Sequence, residues 1–124
     1  MLAPRAAKLF GEYALWRSTG LRSAGRALVE ALGSSDENLR SIAGMLLVRA
    51  GKRSRSLLEE ALRRREHVPM VIRVLADLGD PGVEREIRPY AQDPDPEIAD
   101  AAVQALRLLE FIIATSQGSD KPPG

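Results

Sequence analysis

Apolar residues recur in this chain with the 3.6-residue period of an amphipathic helix, three times in one register. The stretches 39–51, 67–79 and 98–110 align without gaps, and their starts lie 28 and 31 residues apart. In each, the fourth, fifth, eighth, ninth and twelfth positions are apolar: Ile42, Ala43, Leu46, Leu47 and Ala50 in the first, Met70, Val71, Val74, Leu75 and Leu78 in the second, Ala101, Ala102, Ala105, Leu106 and Leu109 in the third. A shorter apolar triad precedes each stretch: Leu28, Ala31, Leu32; then Leu58, Ala61, Leu62; then Ile87, Tyr90, Ala91. Turn residues separate them. Gly33-Ser34-Ser35-Asp36 and Asp93-Pro94-Asp95-Pro96 place an Asp where it can cap a helix. Gly51 and Gly79-Asp80-Pro81 stand where a helix should stop.

This pattern predicts an all-α fold: a short α-solenoid of about three helix-turn-helix repeats, each unit covering the apolar face of the next. Residues 5–17, with Leu9, Phe10, Tyr13, Ala14 and Trp16, predict a further N-terminal helix that caps the end of the core. Residues 1–114 are read as one domain. Residues 115–124 are polar and rich in Gly and Pro, and are read as a disordered tail.

Three runs carry a family resemblance. They are Leu78-Gly79-Asp80-Pro81-Gly82-Val83, then Asp93-Pro94-Asp95-Pro96-Glu97-Ile98, then Ala101-Ala102 followed by Ala105-Leu106. Together they resemble the HEAT-like repeats of the phycobilisome lyase type, over roughly residues 24–112. The resemblance implies a HEAT-repeat solenoid that binds on the surface formed by the second helices. Its name also suggests a chromophore-lyase helper. Departures are visible. The second unit carries Arg64-Arg65-Glu66-His67-Val68-Pro69 in place of the Asp-Pro turn, and its turn is two residues shorter. Arg40 stands where the family often has Arg, whereas Val68 and Ala99 hold the equivalent positions of the other units.

Composition agrees with the helical reading, because Ala and Leu dominate the apolar share and aromatics are only 4%. The absence of cysteine excludes disulfides, thiolate metal sites and cysteine nucleophiles, and suits a cytoplasmic protein. No apolar run reaches membrane-span length and the start lacks a signal-type segment, so no membrane association is expected. Charge is distributed unevenly. Residues 49–76 hold eight Lys/Arg against three Asp/Glu, and residues 77–124 hold four against ten. That asymmetry suggests weak end-to-end self-association at low salt.

Candidate chemistry is sparse. The lone His67 falls at a core-facing position and has no second ligand or nucleophile beside it in sequence. The acids Asp93, Asp95, Glu97 and Asp100 alternate with prolines and read as helix-capping groups, not a calcium loop. Gly51-Lys52-Arg53-Ser54 lacks the spacing of a phosphate loop. No cofactor, no metal and no enzyme activity are expected. Lys52, Arg53, Arg55, Arg63, Arg64, Arg65 and Arg73 offer a nucleic-acid reading, but without interleaved aromatics.

The expected function is that of a protein-binding scaffold or adaptor. On the face opposite the core, isolated helices should be charged, yet Gly44, Met45 and Val48, then Ile72 and Ala76, then Val103 stand there. A shallow groove is therefore expected along Arg40, Met45, Val48, Ile72, Arg73, Val103, Gln104 and Arg107. Its arginines would favour an acidic or amphipathic segment of another protein.

Overall fold

The computed structural model describes residues 3–119, and they form an all-α protein with no strand among them. Helix α1 spans Pro4–Thr19, with the proline in the first turn, where its missing N–H costs nothing. Helix α2 spans Arg22–Ala31 and α3 spans Glu37–Ala50. The Asp36 carboxylate caps α3 by accepting from the Asn38 N–H at 2.9 Å, as the sequence pattern requires. Only Gly51 separates α3 from α4, Lys52–Arg63. Its φ of 64° is the left-handed value that turns the chain in one residue. Buried Ser54 then donates to the Leu47 carbonyl, tying the first turn of α4 back onto α3.

The shortened turn of the second unit has a visible consequence. Between α4 and α5, Val68–Asp77, both Arg65 (φ 55°) and His67 (φ 48°) adopt left-handed backbone, although neither is glycine. Such a conformation costs of order 1–3 kcal/mol per residue and persists only where the surroundings hold it. Here His67 starts α5 while its ring lies over Gly33, where any Cβ would come within 2.0 Å of the ring.

The third unit departs from the expected pair of helices. Its first element is a single turn, α6, Glu84–Ile87, between 3-10 turns at Pro81–Val83 and Arg88–Gln92. Pro89 cannot donate to a carbonyl one turn back, so the helix cannot continue through it. Ile87 is fully buried, whereas Tyr90 and Ala91 are half-buried. Helix α7 then runs Pro96–Ser119. It continues past residue 114, where the sequence suggested the tail begins. Residues 120–124 lie outside the described residues.

Two layers result. Helices α2, α4 and the segment 81–92 form one, and α3, α5 and α7 form the other, with neighbours along the chain in contact. Helix α1 covers α2 and α3 at one end. The core between the layers is continuous, from Leu28, Val29 and Leu32 through Leu46, Leu47, Leu57 and Leu58 to Val71, Ile72, Leu75, Ile87 and Leu109. Trp16 is buried and closes the α1 end, as its position in the pattern predicted.

Candidate interaction furrow

The free face of α3, α5 and α7 carries three adjoining recesses of about 240, 490 and 560 Å³. The α3 side is lined by Arg40, Ser41, Gly44, Met45 and Val48. Met70, Arg73 and Asp77 come from α5, and Ala101, Gln104 and Leu108 from α7. Arg73 borders all three recesses and joins them into one furrow across the second helices. Met45 and Leu108 are exposed large apolar residues on its two walls, 48% and 39% accessible. Toward the start of α7, Glu97 and Asp100 add an acidic edge.

Of the residues expected from sequence, Arg40, Met45, Val48, Arg73 and Gln104 meet in this furrow. Val103 is half-buried and Arg107 exposed, and neither lines it. Ile72 is a correction. Its accessibility is 0%, and Ala76 beside it is at 1%, so Ile72 belongs to the core and cannot anchor a ligand. The cause is position in the stack. Helix α5 is flanked by α3 on one side and α7 on the other, so its buried stripe widens to six residues of ten. Met70, Asp77, Ala101 and Leu108 were missed. Leu108 had a signal: it stands where the sister repeats carry Arg49 and Asp77.

The electrostatics of the furrow follow from its walls. Asp77 is solvent-accessible by area yet low between α5 and α7, and desolvation pushes its carboxyl above the ordinary range against the pull of Arg73. Arg40 donates to the Ser34 carbonyl at 2.7 Å, which fixes the guanidinium beside the start of α3. Neither Arg40 nor Arg73 has a carboxylate within ion-pair distance among the described residues.

The opposite layer uses its charges differently. Arg22 pairs with Glu60, Arg26 with Glu66 at 3.3 Å, and Arg65 with Asp93 through two bonds of 3.1 and 3.3 Å. Arg55 reaches Glu59, Asp80 and Glu86 at 3.1, 2.5 and 3.2 Å. Apart from Arg55–Glu59, which lies within α4, these pairs link successive units. They occupy Arg55 and Arg65 of the basic stretch, while Arg64 pairs with Glu60 and Arg53 donates to the Arg17 carbonyl. Four of the seven basic side chains of the stretch thus make hydrogen bonds or ion pairs within the molecule, while those of Lys52, Arg63 and Arg73 make none among the described residues.

The remaining candidates make local contacts. Asp93 accepts from the Asp95 N–H and Asp95 from the Glu97 N–H, so the acidic run caps α7. No group of three or more potential metal ligands occurs among the described residues. His67 Nε2 lies 3.7 Å from Glu30 Oε2, and the ring is partly covered against Gly33. No helix among the described residues is long and apolar enough to cross a membrane. No protein-family model, curated protein or solved structure matches this chain.

Proposed function

We propose that this chain is a HEAT-like α-solenoid acting as a cytoplasmic, non-enzymatic scaffold that holds a segment of another protein in the furrow across α3, α5 and α7. The reading rests on one observation above all: large apolar side chains, Met45 and Leu108, stand exposed on facing walls of a continuous surface joined by Arg73. Apolar groups in a concave setting, with a small number of polar groups to orient the guest, are the usual form of a helix-in-groove site. Arg40 and Arg73, which form no ion pair among the described residues, favour a guest with acidic character and act mainly on its rate of capture. The repeat resemblance points to the same surface.

The nucleic-acid reading has less support, because four of its seven basic residues already make contacts within the molecule. The test is recovery of partner proteins from native lysate by wild type, Met45→Glu, Leu108→Glu and Arg63→Glu. Both furrow variants keep the fold, since the side chains are exposed, and should lower recovery of the same partner about tenfold or more. Arg63→Glu, outside the furrow, should not. Recovery indifferent to both furrow changes but abolished by Arg63→Glu and by moderate salt would replace this reading with phosphate binding.

A further inference from the structure

The contact between α4 and the one-turn helix α6 has an imbalance of charge. Three carboxylates, Glu59, Asp80 and Glu86, converge on the single guanidinium of Arg55. Arg55 Nε binds Glu59, one terminal nitrogen binds Asp80 and the other binds Glu86 Oε1. Its donors are therefore spread over three acids. Asp80 is held further by the Gly82 N–H at 2.9 Å. Glu86 is not: its Oε2 is buried and has no hydrogen-bond partner. Glu59 and Glu86 accept from the same guanidinium and line the same recess, so the two carboxylates stand close together. Arg63 and Arg85 line the same recess, together with Tyr90, but neither arginine reaches ion-pair distance of Glu59 or Glu86. No charged side chain of α7, which packs on α6 from the other side, lines that recess among the described residues.

A buried carboxylate oxygen without a donor is costly, and a second carboxylate facing it adds repulsion. One proton removes both penalties, because a carboxylic acid donates to the neighbouring carboxylate while the other oxygen keeps Arg55. We propose that Glu86, with its undonated buried oxygen beside Glu59, takes up a proton, and that this proton tightens the joint between the second and third units as pH falls. Burial and the charge of Glu59 push the Glu86 carboxyl upward, against the hydrogen bond from Arg55. The sign is opposite to that of an ordinary ion pair. A carboxyl whose folded-state value is raised gives stability that is complete below the unfolded value of about 4.3 and lost as pH rises through the folded one.

The test is urea unfolding of the full chain between pH 5 and 8, for wild type, Glu86→Gln and Glu59→Gln. Glutamine is the neutral isostere: its amide nitrogen can donate where the acid proton would. The expected result is that Glu86→Gln raises the urea midpoint at pH 7.5 and flattens its decline with pH. Glu59→Gln, which removes the facing charge, should act in the same direction. Carbon-13 titration of the glutamate carboxyls in wild type should show Glu86 protonating above the ordinary range. A lowered midpoint in both variants at every pH, with the Glu86 carboxyl titrating in the ordinary range, would overturn the proposal and leave a conventional ion pair.

Discussion

Gly25 and Gly11 both lie inside helices, and the structure assigns opposite signs to replacing them with alanine. In a helix interior, alanine is favoured over glycine by about 0.8–1.0 kcal/mol, because it loses less backbone entropy on folding. Gly11, in α1, has nothing within 4 Å of where a Cβ would stand, so Gly11→Ala should gain most of that amount. Gly25, in α2, is buried, and its Cβ would lie 2.6 Å from Leu57 Cδ1 and 2.8 Å from Trp16 Cε2. These atoms come from α4 and α1, so the glycine is the point where three helices meet. Neither neighbour yields freely, because Leu57 and Trp16 are 2% and 4% accessible. Overpacking of this kind costs about 1–3 kcal/mol, and with two approaches under 3.0 Å it should exceed the propensity gain. Gly25→Ala should therefore lower stability by up to about 2 kcal/mol net. Urea unfolding at neutral pH measures both. Leu57→Ala alone should be costly, but the loss from Gly25→Ala should shrink in its presence, since the nearest clash is gone. A stabilising Gly25→Ala, or equal shifts at the two sites, would refute the reasoning.

Further outcomes follow from burial and charge. Leu47→Ala and Leu75→Ala remove fully buried side chains and should each cost about 2–5 kcal/mol, whereas Leu106→Ala, half-buried at the equivalent position, should cost less. In the same urea series Ile72→Asp should abolish the cooperative transition, because it puts an unpaired carboxylate in the core; a normal helical spectrum for that variant would contradict its burial. Asp93 is held below the ordinary carboxylate range, first by its bonds from Arg65 and then by the Asp95 N–H. Its contribution is present above the unfolded value of about 3.9 and is lost as pH falls through the folded one. The stability difference between wild type and Asp93→Asn should thus be visible at pH 6 and close as the solution is taken below pH 3; a gap that persists in acid would show that the charge is not its source.

Much of the fold was legible because period and punctuation agreed. The apolar triads located α2 and α4, and the caps at Asp36 and Asp95 located the starts of α3 and α7. What failed was local. The third triad, Ile87, Tyr90 and Ala91, has helical spacing, but Pro89 lies inside it and the backbone breaks into short turns. The inter-unit ion pairs were not legible. They join residues 25 to 40 positions apart, and the charges of α4 also have plausible partners on their own helix. Helix-surface pairing at i,i+4, as in Glu60 with Arg64, is what sequence spacing shows first.

The furrow was half legible, and the missing half has a single cause. One helical wheel applied to three repeats assumes that the three second helices have equivalent surroundings, but a stack of three has one middle and two ends. The middle helix is distinguishable in the sequence itself: Val68–Asp77 contains only Arg73 and Asp77 as charged residues, and its apolar side chains run nearly all round. A helix with that composition is a buried one. Ile72 and Ala76 therefore serve cohesion, packed between α3 and α7, while Gly44 and Val48 at the equivalent positions of α3 remain half-exposed. The middle helix leaves to the free face mainly Met70 and its two charged residues. Exposed apolar anchors can then come only from the flanks, where Met45 and Leu108 stand. If the furrow holds a guest as proposed, affinity should depend on α3 and α7 together, with Arg73 between them, and a change in the spacing of those two helices should alter binding without touching any furrow side chain.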